Sequence, residues 1–324
     1  MNNFINKESF NIENLHRSIK IIAKENNIYK WDLGASSSCD LSVQVDKGLA
    51  KQLKGSQKNS LTIRVWNNKD SVGITSTSDL SEIGLRKAFK GAKEASEYSN
   101  KQDSPQFSIS SKDPLPKIKV TLKDSVGIKT LFELLKQAEK ELLDSNKYIN
   151  SVPYNGLAES SLERIYINNE NSHRQMKITQ ASIYLYSKAQ EKGRKPRSSG
   201  AIRIANGIEN LDINGCIKEA TSRTISHLNY QPIETAKYLV CFSPEAFLDL
   251  ISAFSSIFNA RSILDGVSLS NKTSLGNQIS VPELSIIDYA LHESNIGSFN
   301  FDGEGTPKQK ISLIEKGILK NLLH

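Results

Sequence analysis

Along residues 12–26 the apolar positions Ile12, Leu15, Ile19, Ile22 and Ala23 recur at the spacing of one helix face, which predicts an amphipathic helix. Past the Ser-rich stretch Ser36–Ser38, read as a loop, Leu41, Val43 and Val45 alternate as a half-buried strand does. Leu61–Trp66 alternates in the same way, Asn67–Asp70 is a turn, and Val72–Thr75 returns as the second arm of a hairpin. Asp79 with Glu82 three positions on has a capping-box pattern, and Leu85, Ala88, Phe89 and Ala92 supply the buried face of the helix that follows. Residues 100–117, rich in Asp, Ser, Pro and Lys, read as a linker. A second unit then runs through a helix at about 126–145, strands at 162–167, 175–186 and 200–204 with an Asn-rich turn at 168–172, and a helix at 212–228.

A third unit begins at Tyr238. The short apolar run Tyr238–Phe242 reads as a buried strand, and Ser243 and Pro244 then suit the cap and first position of a helix. Its apolar face is Phe247, Leu250, Ile251, Phe254, Ile257 and Phe258, with Gly266 as the stop. Residues 277–287 carry β-branched side chains and an internal Pro282, the loop Asp302–Pro307 reads DGEGTP, and Ile311–Ile314 and Ile318–Leu323 flank a turn at Lys316–Gly317. The reading is an α+β protein with mixed or antiparallel sheets and packed helices, divided into domains at 1–99, 118–231 and 238–324. The apolar arm at 318–323 is expected to need a partner, because an open apolar strand invites aggregation.

Composition adds little that redirects this picture. At 324 residues and 38% hydrophobic the chain can bury more than one core without metal or disulfide staples. Three widely separated cysteines, Cys39, Cys216 and Cys241, form no CxxC pair and point to a reducing, cytoplasmic setting. No apolar run approaches the roughly 18 residues of a membrane span, so no membrane association is expected. The formal net charge of +7 raises the question of a polyanion partner. Its one dense source is Lys192–Arg197, KGRKPR, a loop whose Arg194, Lys195 and Arg197 are the candidate contact residues. No zinc-finger, RNP or helix-turn-helix signature accompanies it, which argues against nucleic acid.

For catalysis, Asp302, Glu304 and Asp288 are carboxylates that could serve a metal or acid–base chemistry, and Thr306 lies in the same candidate cleft loop. Gly303 and Gly305 beside Thr306–Pro307 are equally what a tight turn requires. The five histidines, His16, His173, His227, His292 and His324, include no pair at ligand spacing on a helix. There is no GxSxG, Walker A or GxGxxG.

Three segments together resemble the TldD/PmbA proteins, also called modulators of DNA gyrase. They are VGITSTSDLSEIGLRKAFKGAKEA at 72–95, the strand, helix and DGVSLSNKTSLG loop of 238–276, and PELSIID, FDGEGTPKQK and LIEKGILK within 282–320. In the TldD branch the helix after the strand bears HExxxH, whose histidines hold a metal and whose Glu can activate the bound water. Here the histidine positions fall on Asp249 and Phe254 and the Glu on Leu250, and no His lies between His227 and His292. The resemblance is therefore to the PmbA or TldE branch, which implies a metal-free subunit with no cofactor of its own. Its implied partner is a TldD-like paralogue carrying zinc or a similar divalent metal, and its implied substrate an unfolded or extended peptide. Homo-oligomerisation is a further expectation, and a DNA- or topoisomerase-associated binding module is the alternative. Family members continue past the point matching Leu323, so the resemblance implies, as an expectation, that 238–324 is the start of a C-terminal domain and the chain a shortened one.

Overall fold

The computed structural model describes residues 11–99, 106–118, 122–292 and 295–324; part of the expected linker, 100–105, lies outside them. The chain divides into two compact units, residues 1–230 with 293–308, and residues 231–292 with 309–324.

The larger unit is built on one six-stranded antiparallel sheet of order β3-β2-β1-β4-β5-β6. Its strands are β1 (Lys30–Asp46), β2 (Leu49–Trp66), β3 (Val72–Thr77), β4 (Ile149–Asn168), β5 (His173–Ala189) and β6 (Arg197–Ala205). The segments read as N-terminal and middle domains thus share a sheet, joined where β1 pairs with β4, as in Leu33 opposite Ile167.

Alternation along β1 explains how that sheet is covered. Trp31, Leu33 and Ala35 enter a core with Ile19, Ile22, Leu85 and Phe89 from α1 (Ile12–Glu25) and α2 (Glu82–Tyr98). Leu41, Val43 and Val45, on the same face, enter a second core with Leu131, Leu135 and Leu142 of α3 (Gly127–Asp144) and Cys216, Ile217 and Ala220 of α4 (Ile213–Ser226). The intervening polar positions Asp32, Gly34, Ser36, Ser38, Asp40 and Ser42 form a lane on the opposite face. Ser36–Ser38, expected as a loop, is mid-strand, with Ser36 opposite both Ser60 and Arg164. A strand paired on both sides holds its backbone by ladder bonds, so it tolerates small polar side chains that a propensity argument assigns to loops.

Helix ends follow the expected chemistry with one shift. The cap of α2 is Ser81, whose hydroxyl accepts from Gly84, while Asp79 accepts from the N–H of Ser81. In α3 no side chain of the cap residue serves the free donors; instead buried Glu159 of β4 accepts from the N–H groups of Val126 and Gly127 at 3.1 and 3.2 Å.

The smaller unit holds α5 (Pro244–Ala253), α6 (Ala260–Leu264) and a three-stranded sheet β7-β8-β9 (Ile286–Tyr289, Lys310–Glu315, Ile318–Leu319). Its core is Phe258, Leu313, Ile314 and Leu319, with Leu322 and Leu323 packed against it. The C-terminal arm expected to need a partner finds one: Leu319 is fully buried opposite Ile314, and Lys316 and Gly317 make the turn in the left-handed region. Tyr238–Phe242 is the converse correction. It is not a strand and its large side chains are exposed, because among the described residues no strand pairs with it. The helix face after it is likewise open, since α5 itself buries no residue, and of the six apolar positions only Phe258 is buried.

Candidate functional site

The turn DGEGTP is made by its own Asp302. Its Oδ1 accepts from the N–H groups of Glu304 at 2.8 Å and Thr306 at 2.9 Å, while its N–H donates to the Thr306 carbonyl at 3.0 Å. Gly305 sits at φ +77°, and a Cβ there would stand 2.5 Å from the Tyr166 ring, so only glycine lets the turn lie flat on that ring. Thr306 contributes its backbone to this turn.

The sheet's polar lane receives the turn. Arg64 of β2 donates to Asp32 of β1 through Nε at 2.9 Å and Nη2 at 2.5 Å, and through Nη1 to Glu304 at 2.9 Å. The Tyr166 hydroxyl donates to Asp32 at 3.1 Å, and Arg174 donates to the Gly305 carbonyl at 3.1 Å and to that of Asp113 at 2.6 Å. Arg164 lies over the Phe299 ring at 4.5 Å. Burial works against the charge on Arg64, but the hydrogen bonds and charges of Asp32 and Glu304 outweigh it and hold the guanidinium more firmly protonated than usual. Burial, reinforced by the neighbouring Asp32 charge, pushes the Tyr166 phenol up, so it stays a donor at neutral pH.

This geometry commits the acidic loop to anchoring. Asp302 is occupied by backbone donors and Glu304 by a guanidinium, so the two do not form an acid–base pair. Asp288 lies on β7 of the smaller unit, whereas Asp302 and Glu304 belong to the larger one. Among the described residues no three His, Cys, Asp or Glu side chains gather to hold a metal ion. Sequence reasoning missed Asp32, Arg64, Tyr166 and Arg174. For Asp32 and Arg64 the signal was a charged residue between apolar neighbours on a strand, which gains meaning only once the register sets the two opposite each other; Tyr166 and Arg174 carried no such signal.

The helix aligned with the metal-bearing motif is capped as the sequence suggested, the Ser243 hydroxyl accepting from Ala246 at 3.3 Å with Pro244 in the first turn. Asp249, Leu250 and Phe254 are all exposed there. One carboxylate and two hydrocarbon side chains do not fit a site that needs two imidazoles and a general base. No metal-dependent step can be built on these residues.

The basic loop is largely engaged in the fold. Arg194 donates to the Leu228 carbonyl at 2.9 Å and pairs with Glu191 at 3.3 Å, and Arg197 lies over the Tyr230 ring at 4.3 Å. Lys195 is exposed. No helix among the described residues is long and apolar enough to cross a membrane.

Models of three domains of one family match the chain: PmbA/TldA metallopeptidase domain 1 over residues 31–96, the central domain over 122–228 and the C-terminal domain over 235–324. A metalloprotease of Methanocaldococcus jannaschii is 27% identical over 293 residues, 87% of this chain and 63% of that protein, so the chain spans less than two thirds of its relative. A solved structure described as a modulator of DNA gyrase, from Bacteroides thetaiotaomicron, superposes with a TM-score of 0.84 at 18% identity, over 96% of this chain and 71% of that one. TldE from Thermococcus kodakarensis superposes with a TM-score of 0.74 at 16% identity, over 96% of this chain and 69% of its own. The structural likenesses carry the α+β fold, and the three domain matches, which together take in most of the chain, carry membership. The chain belongs to the PmbA/TldD metallopeptidase family.

Proposed function

We propose that this chain is the metal-free member of a two-subunit peptidase, paired with a family relative that carries HExxxH and acting on unfolded or extended peptides in the cytoplasm. The observation that carries the reading is the presence of Asp249, Leu250 and Phe254 where the metal-bearing branch has its two histidines and glutamate. A helix of this kind keeps its capping and loses its chemistry, so hydrolysis falls to the partner's metal. The chain's own contribution is a sheet platform that holds substrate near that metal. The likeness to a protein named TldE supports the pairing.

Assembly tests this directly. The purified chain is mixed with an HExxxH-bearing relative, and the molar mass is measured by size exclusion with light scattering, with metal content read across the same peak. A mixed species whose zinc equals the number of HExxxH subunits is the expected result. Two separate peaks, or stoichiometric zinc on this chain alone, would overturn the proposal.

A further inference from the structure

We propose that the open edge of β2 over residues 49–60 binds an extended acidic peptide, which adds there as a further strand. β3 pairs with β2 only over Leu61–Trp66, yet β2 continues back to Leu49 with β1 on its other side. Along residues 52–60, beyond a β-bulge at Lys51, alternate backbone N–H and C=O groups therefore face outward with no strand on them among the described residues. Apart from Ser56 and Asn59 the side chains of this stretch are exposed.

Charge selects the occupant. Lys51, Lys54 and Lys58 lie on this edge, and among the described residues none forms an ion pair or a side-chain hydrogen bond. The nearby carboxylates are Asp46, at the hairpin end opposite Leu49, buried Glu139, which accepts from the N–H groups of Lys47 and Gly48 at 3.1 and 2.7 Å, and Asp40, opposite Ser56 and accepting from the Ser38 and Ser56 hydroxyls at 3.2 and 3.5 Å. A second copy of this edge is a poor occupant, because two-fold pairing centred on Ser56 sets Lys54 against Lys58, and like charges directly opposite repel. Lysines on an edge deter ordinary strands in the same way. A strand bearing carboxylates meets attraction instead.

Register adds specificity. Lys54, Ser56 and Lys58 share one face of β2, so the two ammonium groups rise from Cα atoms about 13 Å apart, while Lys51 is the extra residue of a β-bulge between Ala50 and Gln52. The matching ligand is an extended chain with acidic residues four apart on one side. Backbone pairing supplies affinity and the lysines choose among sequences. The inference rests on the proposed function only in calling the bound strand a substrate.

Fluorescence anisotropy on this chain alone tests it, with a labelled peptide of alternating Thr and Val carrying Glu at every fourth position. The Glu peptide should bind, and less tightly as salt rises. Its counterpart with Lys in place of Glu should not. Lys54→Glu combined with Lys58→Glu should weaken binding roughly tenfold, with an unchanged melting curve showing that the variant folds. Methylating the peptide's amide nitrogens at alternate residues should abolish binding in one of the two phases, since only one row of amides meets the edge. Absence of binding by the Glu peptide, equal binding by the double variant, or indifference to methylation in both phases overturns the inference. Because no paralogue is present, failure here is distinct from failure of the two-subunit reading.

Discussion

Arg64 and Asp32 stand directly opposite each other on β2 and β1, and two guanidinium nitrogens reach the carboxylate at 2.9 and 2.5 Å while the third reaches Glu304 of the DGEGTP turn. The two arms differ in environment, the Asp32 side chain being 3% exposed and that of Glu304 41%. Breaking the inner arm strands a buried charge, so Asp32→Asn or Arg64→Met should cost about 3 kcal/mol. Glu304→Gln should cost less than about 1 kcal/mol, since solvent screens that pair. Urea denaturation of the three variants reads the difference, and equal losses would contradict the assigned roles.

Gly305 makes the turn's seat on Tyr166. Alanine there adds a Cβ 2.5 Å from the ring and must hold φ +77°. Gly305→Ala should lose about 1–3 kcal/mol by the same measurement, from backbone strain and displacement of the turn. Alanine at Gly303, where nothing lies within 4 Å of the added Cβ, should be close to neutral.

His16 and His173 are hydrogen-bonded ring to ring, Nδ1 to Nε2 at 2.7 Å, so one imidazole must donate and the other accept. His16 is 6% exposed and lies against Trp31. Burial, then His173 and Lys20, lower its pKa to about 4, and burial also lowers that of His173. An unfolded histidine titrates near 6.5. Between about pH 6.5 and 4 the unfolded chain therefore takes up protons that the folded one refuses, and stability falls as pH falls through that window. The urea midpoint should drop from pH 7 to pH 5, and His16→Phe should flatten that drop.

Leu239 and Leu248 lie on the open stretch of the smaller unit, and both are exposed. Leu239→Ser and Leu248→Ser should each shift stability by less than about 0.5 kcal/mol. A loss of the size seen for core leucines would mean that these side chains are covered.

Elements that carry a full period were legible in the sequence. The face Ile12, Ile19, Ile22 gave α1, the alternation at Leu61–Trp66 gave its hairpin, and Gly303 and Gly305 marked the turn. What escaped was set by pairing. Ser36–Ser38 is strand because β2 and β4 hold it on both sides, and Tyr238–Phe242 is not strand because among the described residues nothing pairs with it, although its composition favours one. The Arg64 cluster escaped for the same reason, since Asp32, Tyr166 and Glu304 are far apart in sequence and meet only through register. The anchoring role of Glu304, which the sequence left open against a catalytic one, follows from that cluster.

The central claim is best tested by the rate at which an unstructured peptide is hydrolysed by this chain mixed with an HExxxH-bearing relative, compared with each protein alone. The account predicts that the mixture cleaves faster than the relative alone, that a chelator stops it, and that this chain alone is inactive. A mixture no faster than the relative alone, or chelator-resistant cleavage by this chain by itself, would contradict it.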